Sequence, residues 1–177
     1  MRAFVSTKLG STVEDALQYL QPTIQPIPTP KSREIIVKVK VAALNFFDGL
    51  ILQGKYQMPI KPPFIPLTEF SGIIIKVGSK IKNYKIGDRV IGSPKPGYGV
   101  LSEYSVMTER NIFKMPNNMS YEDGASFYVT YGTSYMALIQ RANINKSTNL
   151  LVTAASGINK YIFILCINII NILYFMC

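Results

Sequence analysis

Residues 63–92 read PFIPLTEFSGIIIKVGSKIKNYKIGDRVIG. The apolar residues fall in short runs, FSGIIIKVG and then GDRVIG, each closed by glycine. The run VLSEYSVM follows at residues 100–107. From Pro59 to Pro116 no apolar stretch escapes interruption by proline or glycine, so each fits a short strand bounded by turns. Upstream, Val37, Val39 and Val41 alternate with Lys38 and Lys40, the period of a strand with one buried face. Between this strand and the N-terminus, Pro22, Pro26, Pro28 and Pro30 impose extended or turn backbone and forbid helix. The opening MRAFVSTKLG reads as a first strand, with neither the apolar core of a signal peptide nor an Arg- and Ser-rich amphipathic segment. Helical signal before residue 120 is weak. The expectation is a compact, barrel-like β domain.

At Ser120 the texture changes. Ser120 followed by Asp123 resembles a capping box, and a helical stretch is expected to about Arg141. Met136, Leu138, Ile139 and Ala142 can face a core, and Gly132 is expected to mark a break. After NINKSTN comes LLVTAASG, a short apolar run ending in small residues and glycine, as at the first strand and turn of a dinucleotide-binding βαβ unit.

Composition excludes several chemistries. The 177 residues include no histidine and no tryptophan, and the two cysteines are Cys166 and Cys177. Zinc sites built on imidazole or thiolate are therefore closed to residues 1–165, as are Ser/His/Asp and Cys/His nucleophile systems and a disulfide scaffold. The apolar fraction of 48% is that of a packed protein rather than a disordered one. The net charge of +9 raises the question of polyanions. Basic residues are nevertheless scattered from Arg2 to Lys160. The densest set, Lys76, Lys80, Lys82, Lys85 and Arg89, alternates with Val77, Ile81, Tyr84 and Ile86 as on a solvated face of strands and turns. No nucleic-acid partner is expected.

Four segments, AALNFFDGLILQGKY (42–56), PFIPLTEFSGIIIKVGSKIKNYKIGDRVIG (63–92), EDGASFYVTYGTSYMAL (122–138) and LLVTAASG (150–157), stand in the order found in zinc-independent medium-chain dehydrogenases/reductases. The chain resembles that family, and within it the quinone oxidoreductases. The resemblance implies a mainly β fold with some helix: a GroES-like β-barrel domain over residues 1–119, then over 120–157 the first helix and strand of an incomplete Rossmann domain. Zinc-dependent relatives carry a His-Glu pair where this chain has Thr68-Glu69, and the other metal ligands are absent too, so the metal-free branch is implied. Leu67 stands where a glycine is usual, which points to a local distortion.

The resemblance also implies NADP(H) as cofactor, a small quinone or enone as substrate, and a homodimer in full-length members. It places Asn45, Asp48 and Tyr56 at the substrate and nicotinamide pocket as catalytic residues, and Asn45, Thr130, Ala154, Ser156 and Gly157 against the cofactor. Asn45 can hold a carbonyl or carboxamide through its amide, and Tyr56 can donate a proton or hydrogen bond to a developing oxyanion. The competing reading makes residues 45–49 a strand-ending turn whose polar groups satisfy local backbone, and Thr130 a helix-terminus hydroxyl bonded to backbone. Glu69 reads as a buried structural carboxylate, and Gly87-Asp88-Arg89-Val90 as a turn with an ion pair.

Family members continue past the strand in the pattern Ala-x-x-Gly-x-x-Gly. Here Ala154 and Gly157 fit, and Lys160 occupies the next glycine position. Residues 161–177, YIFILCINIINILYFMC, contain six isoleucines and no charge. They could be a membrane anchor, although Asn168 and Asn171 would be costly there; a buried strand or helix; or unselected sequence translated from A/T-rich codons. The abrupt switch after Gly157 favours the last, setting 158–177 apart as an aberrant tail. Little or no activity is then expected of this chain, and a cytoplasmic location, with a mitochondrial one as the alternative, and no membrane association unless the tail is genuine. A noncatalytic binding module, or a C-terminally membrane-anchored protein, is the alternative.

Overall fold

A computed structural model describes residues 1–145, 148, 150–152 and 173–175. The chain divides into two compact units, Met1–Ser126 and Phe127–Cys177.

In the first unit, β1 (Arg2–Ser6) pairs antiparallel with β2 (Leu20–Ile24), and the short helix α1 (Val13–Gln18) lies between them in sequence. Thr12 caps α1: its hydroxyl oxygen accepts the Asp15 N–H at 3.1 Å. A five-stranded antiparallel sheet, in the order β6-β3-β4-β5-β7, is built from β3 (Ile35–Ala43), β4 (Glu69–Val77), β5 (Arg89–Gly92), β6 (Tyr104–Met107) and β7 (Ile112–Lys114). Backbone hydrogen bonds tie the ribbon to the segments leading into β4 and β6, and the latter segment to β3. Phe4 N–H donates to Leu101 O at 3.0 Å and Ser6 N–H to Phe64 O at 2.8 Å, and Val39 N–H in β3 reaches Glu103 O at 2.9 Å.

The alternation read from the sequence holds in β3: Val37 is buried, Val39 and Val41 half-buried, and Lys38 and Lys40 exposed. Ile35 and Ile36 are both fully buried, Ile35 in the main core with Val37 and Ile36 outside it, and the β3–β4 register shifts between Ile36 and Val37 and again between Val39 and Val41. The main core gathers Ile35, Val37, Phe70, Ile74, Val90, Val100, Met107 and Ile112. A second cluster joins Ala16 of α1 to Ile51 and Leu52 of α2 (Phe46–Leu52) and to Phe64. At the turn before β5, Asp88 pairs with Lys114 at 3.3 Å rather than with its neighbour Arg89. Arg89 instead donates to Asn117 O and lies over the Tyr121 ring.

Ser120 begins a helix as expected, accepting the Asp123 N–H at 3.0 Å while its hydroxyl donates to Asp123 Oδ2 at 2.7 Å. The helix, α3 (Tyr121–Ala125), is short, and it belongs to the first compact unit, so the 119/120 division falls inside that unit. The break comes at Ser126–Phe127, not at Gly132. Gly132 lies inside α4 (Tyr128–Tyr135), with no atom near enough to contact an added side chain, and a π-helical turn, Met136–Arg141, continues it. Of the four residues expected to face a core, Leu138 is buried, whereas Met136, Ile139 and Ala142 are exposed. Leu138 shares its face with buried Ser134, one helical turn back, and the wider π turn carries the others off that face. In the second unit β8 (Leu150–Val152) pairs in parallel with β9 (Leu173–Phe175). Among the described residues no helix is long and apolar enough to cross a membrane.

The anomaly at Leu67 is a backbone one. Its φ is +68°, in the left-handed region, while its side chain packs against the main core. For an L-residue that conformation costs about 1–3 kcal/mol, and burying the side chain returns a similar amount. Glycine surrenders the packing but escapes the strain, whereas alanine loses the packing and keeps the strain. Leu67→Gly is therefore expected to be more stable than Leu67→Ala by about 1 kcal/mol, the reverse of the usual order, as read from urea midpoints of the two variants. Leu67→Ala being the more stable would contradict the strain.

Candidate active site

Two of the residues singled out by sequence, Asn45 and Asp48, meet with Glu69 where β3 ends and β4 begins. Antiparallel pairing sets Ala43 opposite Glu69, and two residues beyond Ala43 the chain turns at Asn45 into α2. The expected strand-ending turn is thus the first turn of a helix. Asn45 is its N-cap, in extended backbone at φ −111° and ψ 158°, and Asp48 sits at its third helical position. The Asp48 Oδ2 accepts the Asn45 N–H at 2.7 Å, and the Asn45 carbonyl accepts the Asp48 N–H at 3.0 Å. This carboxylate at a helix start satisfies a backbone donor that would otherwise lack a partner, and meets the positive end of the helix dipole. The local reading of this pair is therefore part of the answer, because Asp48 serves the backbone directly.

Asn45 does more than cap. Its Nδ2 donates to Glu69 Oε2 at 2.8 Å. Glu69 is fully buried and Asp48 is 1% exposed, so two carboxylates share one water-poor corner, with Thr68 Oγ1 near Asp48 Oδ1 at 3.4 Å. Burial pushes the Asp48 carboxyl up to about 6 against the hydrogen bonds from Asn45 and Thr68, and the Glu69 charge adds to the rise. Glu69 is the buried, hydrogen-bonded carboxylate expected. Its further role, fixing the plane of the Asn45 amide, is not visible in sequence, since the partners stand 24 residues apart. Only the register of β3 on β4 brings them together.

Tyr56 is tied to α2 through Phe47. It stacks on Phe47, centroids 5.4 Å apart and planes 29° apart, and both pack against the cluster of Ala16, Ile51, Leu52 and Phe64. Phe47 lies between the two polar residues in sequence, so the α2 turn that positions Asn45 also positions the Tyr56 ring. Leu44 and Phe46, flanking Asn45, are 77% and 86% exposed, which gives the corner an apolar rim. Thr130 lies on α4 in the second unit, half-buried. Ala154, Ser156 and Gly157 lie outside the described residues. A separate cavity of about 590 Å³, bounded by β1, β2 and residues 100–103, contains none of the candidate residues. Among the described residues no group of three or more His, Cys, Asp or Glu could hold a metal ion.

Asp48 sets a pH signature. Its folded carboxyl titrates at about 6, against about 3.9 for an unfolded aspartate. Between these values the folded state holds the extra proton, so this contribution is complete below about pH 4 and is lost as pH rises through 6. Asp48→Asn should therefore gain stability relative to the parent chain as pH rises from 4 to 7, on the order of 2 kcal/mol. Urea midpoints of both proteins across that range check this, and parallel curves would contradict it.

Known proteins resemble the chain in both sequence and fold. Residues 31–117 match the alcohol dehydrogenase GroES-like domain. The chain is 36% identical over 137 residues to quinone oxidoreductase-like protein 2 of Rattus norvegicus, covering 76% of this chain and 39% of that protein. The human synaptic vesicle membrane protein VAT-1 homolog-like protein superposes with a TM-score of 0.87 at 31% identity, over 99% of this chain and 54% of the other. The quinone oxidoreductase of Thermus thermophilus, solved alone and with NADPH, superposes at 0.79 with 27% identity, over 99% and 52%. The chain thus spans between about two fifths and a little over half of the proteins it matches. Over residues 31–117 this chain thus carries the alcohol dehydrogenase GroES-like domain, and over about three quarters of its length it is similar to quinone oxidoreductase-like proteins.

Proposed function

We propose that this chain is the N-terminal part of a zinc-independent, NADPH-dependent oxidoreductase that reduces quinones or other activated double bonds. The observation that carries the reading is the Asn45 amide held by Glu69 on a helix cap locked by Asp48, on the same helix whose Phe47 stacks on the Tyr56 ring. An amide has two N–H donors and a carbonyl. With one donor committed to Glu69, Asn45 keeps capacity to orient a carbonyl or carboxamide without reorganising, which is how a protein contributes when the cofactor carries the chemistry. Tyr56 is assigned the proton or hydrogen bond to the oxygen that becomes negative during reduction. Asp48 holds the first turn of α2, and so both residues, in place.

Support for a dinucleotide comes from the second unit. β8 is a short strand, and in α/β units ligands gather at the carboxyl ends of strands, where a small-residue turn lets backbone approach phosphate. Thr153-Ala154-Ala155-Ser156-Gly157 follows β8 directly. Ala154, Ser156 and Gly157 would hold the pyrophosphate, and Thr130 would face the nicotinamide end. NADPH, when bound, supplies the hydride. A metal-free reaction is proposed because the chain offers no histidine, and its cysteines are confined to positions 166 and 177. A homodimer and a cytoplasmic location belong to the same reading.

With Lys160 in place of the next glycine, the purified 177-residue chain is expected to show no significant NADPH oxidation with a quinone acceptor. The same chain extended by a full glycine loop and second domain should bind NADPH and turn over. Substantial activity of the short chain would overturn the assignment of its inactivity, and failure of the extended protein to bind NADPH would overturn the cofactor reading. In the extended protein Tyr56→Phe should lower kcat/KM by at least about 10²-fold, measured by NADPH absorbance. A rate within about twofold of the parent would remove Tyr56 from the chemistry.

A further inference from the structure

The opposite end of the β3–β4 ladder carries a second concavity. Asn45 follows the end of β3, whereas Arg33 precedes its start, so roughly 30 Å of strand separates them. Here the turn before β3, the turn after β4 and the connections following β5 and β6 enclose a groove of about 970 Å³. Arg33, Lys80, Lys82, Lys95 and Arg110 line it, and Glu109 is its sole carboxylate.

Little of that charge is answered. Lys95 is paired with Glu34 at 2.6 Å. Glu109 turns Oε1 toward the backbone N–H of Asn83 at 3.2 Å. Among the described residues Arg33, Lys80, Lys82 and Arg110 enter no ion pair. Like charges held together around a concavity repel one another and attract anions.

The arrangement is also fixed by backbone. Gly78 donates to Glu34 O at 2.8 Å and Lys80 N–H to Ser32 O at 2.7 Å. A Cβ on Gly78 would lie 2.0 Å from the Lys31 carbonyl oxygen. Only glycine allows these two turns to approach so closely, and their approach sets Arg33 and Lys80 on the same groove.

We propose that this groove binds a compact soluble oligophosphate anion. Lysine ammonium groups and arginine forks are the donors suited to phosphate oxygens. The lining excludes other polyanions by what it lacks. It offers no aromatic face on which nucleic-acid bases could stack. Apart from Pro96 it has no apolar side chain to enter a bilayer or to seat the side chains of an acidic peptide. The residues touch none of the candidate active-site groups, so the site is independent of the oxidoreductase reading.

Calorimetric titration of the purified chain with inorganic tripolyphosphate at low ionic strength tests this. Lys80→Glu combined with Lys82→Glu should weaken binding at least about tenfold. Lys38→Glu combined with Lys61→Glu, the same change of net charge at exposed positions outside the groove, should leave it within about twofold. Arg110→Ala, which reverses no charge, should weaken binding about threefold or more and serves if the double reversal disturbs folding. Equal losses in the two double variants would show a diffuse field and overturn the site. So would absence of binding by the parent chain, or binding to phosphatidylserine vesicles without binding to tripolyphosphate.

Discussion

A carboxylate with no exposed surface must be hydrogen-bonded or it destabilises the fold. Glu69 meets this condition at the first residue of β4 by accepting from Asn45, the cap of α2. That bond joins three things that sequence keeps apart: the β3–β4 register, the turn of the chain into α2, and the orientation of an amide available to a ligand at this corner. Asp48 strengthens the same junction from the helix side through the Asn45 N–H. With both carboxylates turned inward, the polar groups here serve structure and site together. A local capping role for Asn45 and Asp48 is compatible with the proposed functional one, since the cap holds the amide in place.

The strands are legible in sequence because their cause is local. Val37, Val39 and Val41 alternate with lysines along β3, and proline and glycine punctuate the later strands. Leu67 is legible for a similar reason: an L-residue where glycine is usual implies strained backbone, and its φ is +68°. What sequence hides depends on contacts distant along the chain. Helix α2 reads as a turn because NFFDG contains a glycine and no long apolar period, yet its cap and its packing against α1 and Phe64 decide in favour of helix. The helix break falls at Ser126–Phe127 rather than Gly132, since glycine in a helix interior costs only about 1 kcal/mol. The partner of Asp88 is Lys114, across the β5–β7 pairing, rather than its neighbour Arg89.

The charge of the chain reads differently in three dimensions. Along the sequence, the lysines between 76 and 85 alternate with apolar residues and look like an ordinary solvated face. The fold sorts them: Lys80 and Lys82 curl with Arg33 and Arg110 around one groove, far along the ladder from Asn45. A β unit with a polar corner at one end and a cationic concavity at the other can hold two ligands of different chemistry without one obstructing the other.

The central claim is that Glu69 acts on function through Asn45. A double-mutant cycle on NADPH-dependent quinone reduction tests it most directly, using Asn45→Ala, Glu69→Gln and their combination in the protein extended by its second domain. If Glu69 works by fixing the amide, the double variant will be no slower than Asn45→Ala alone. Losses that multiply, each substitution costing as much in the presence of the other as in its absence, would contradict the account.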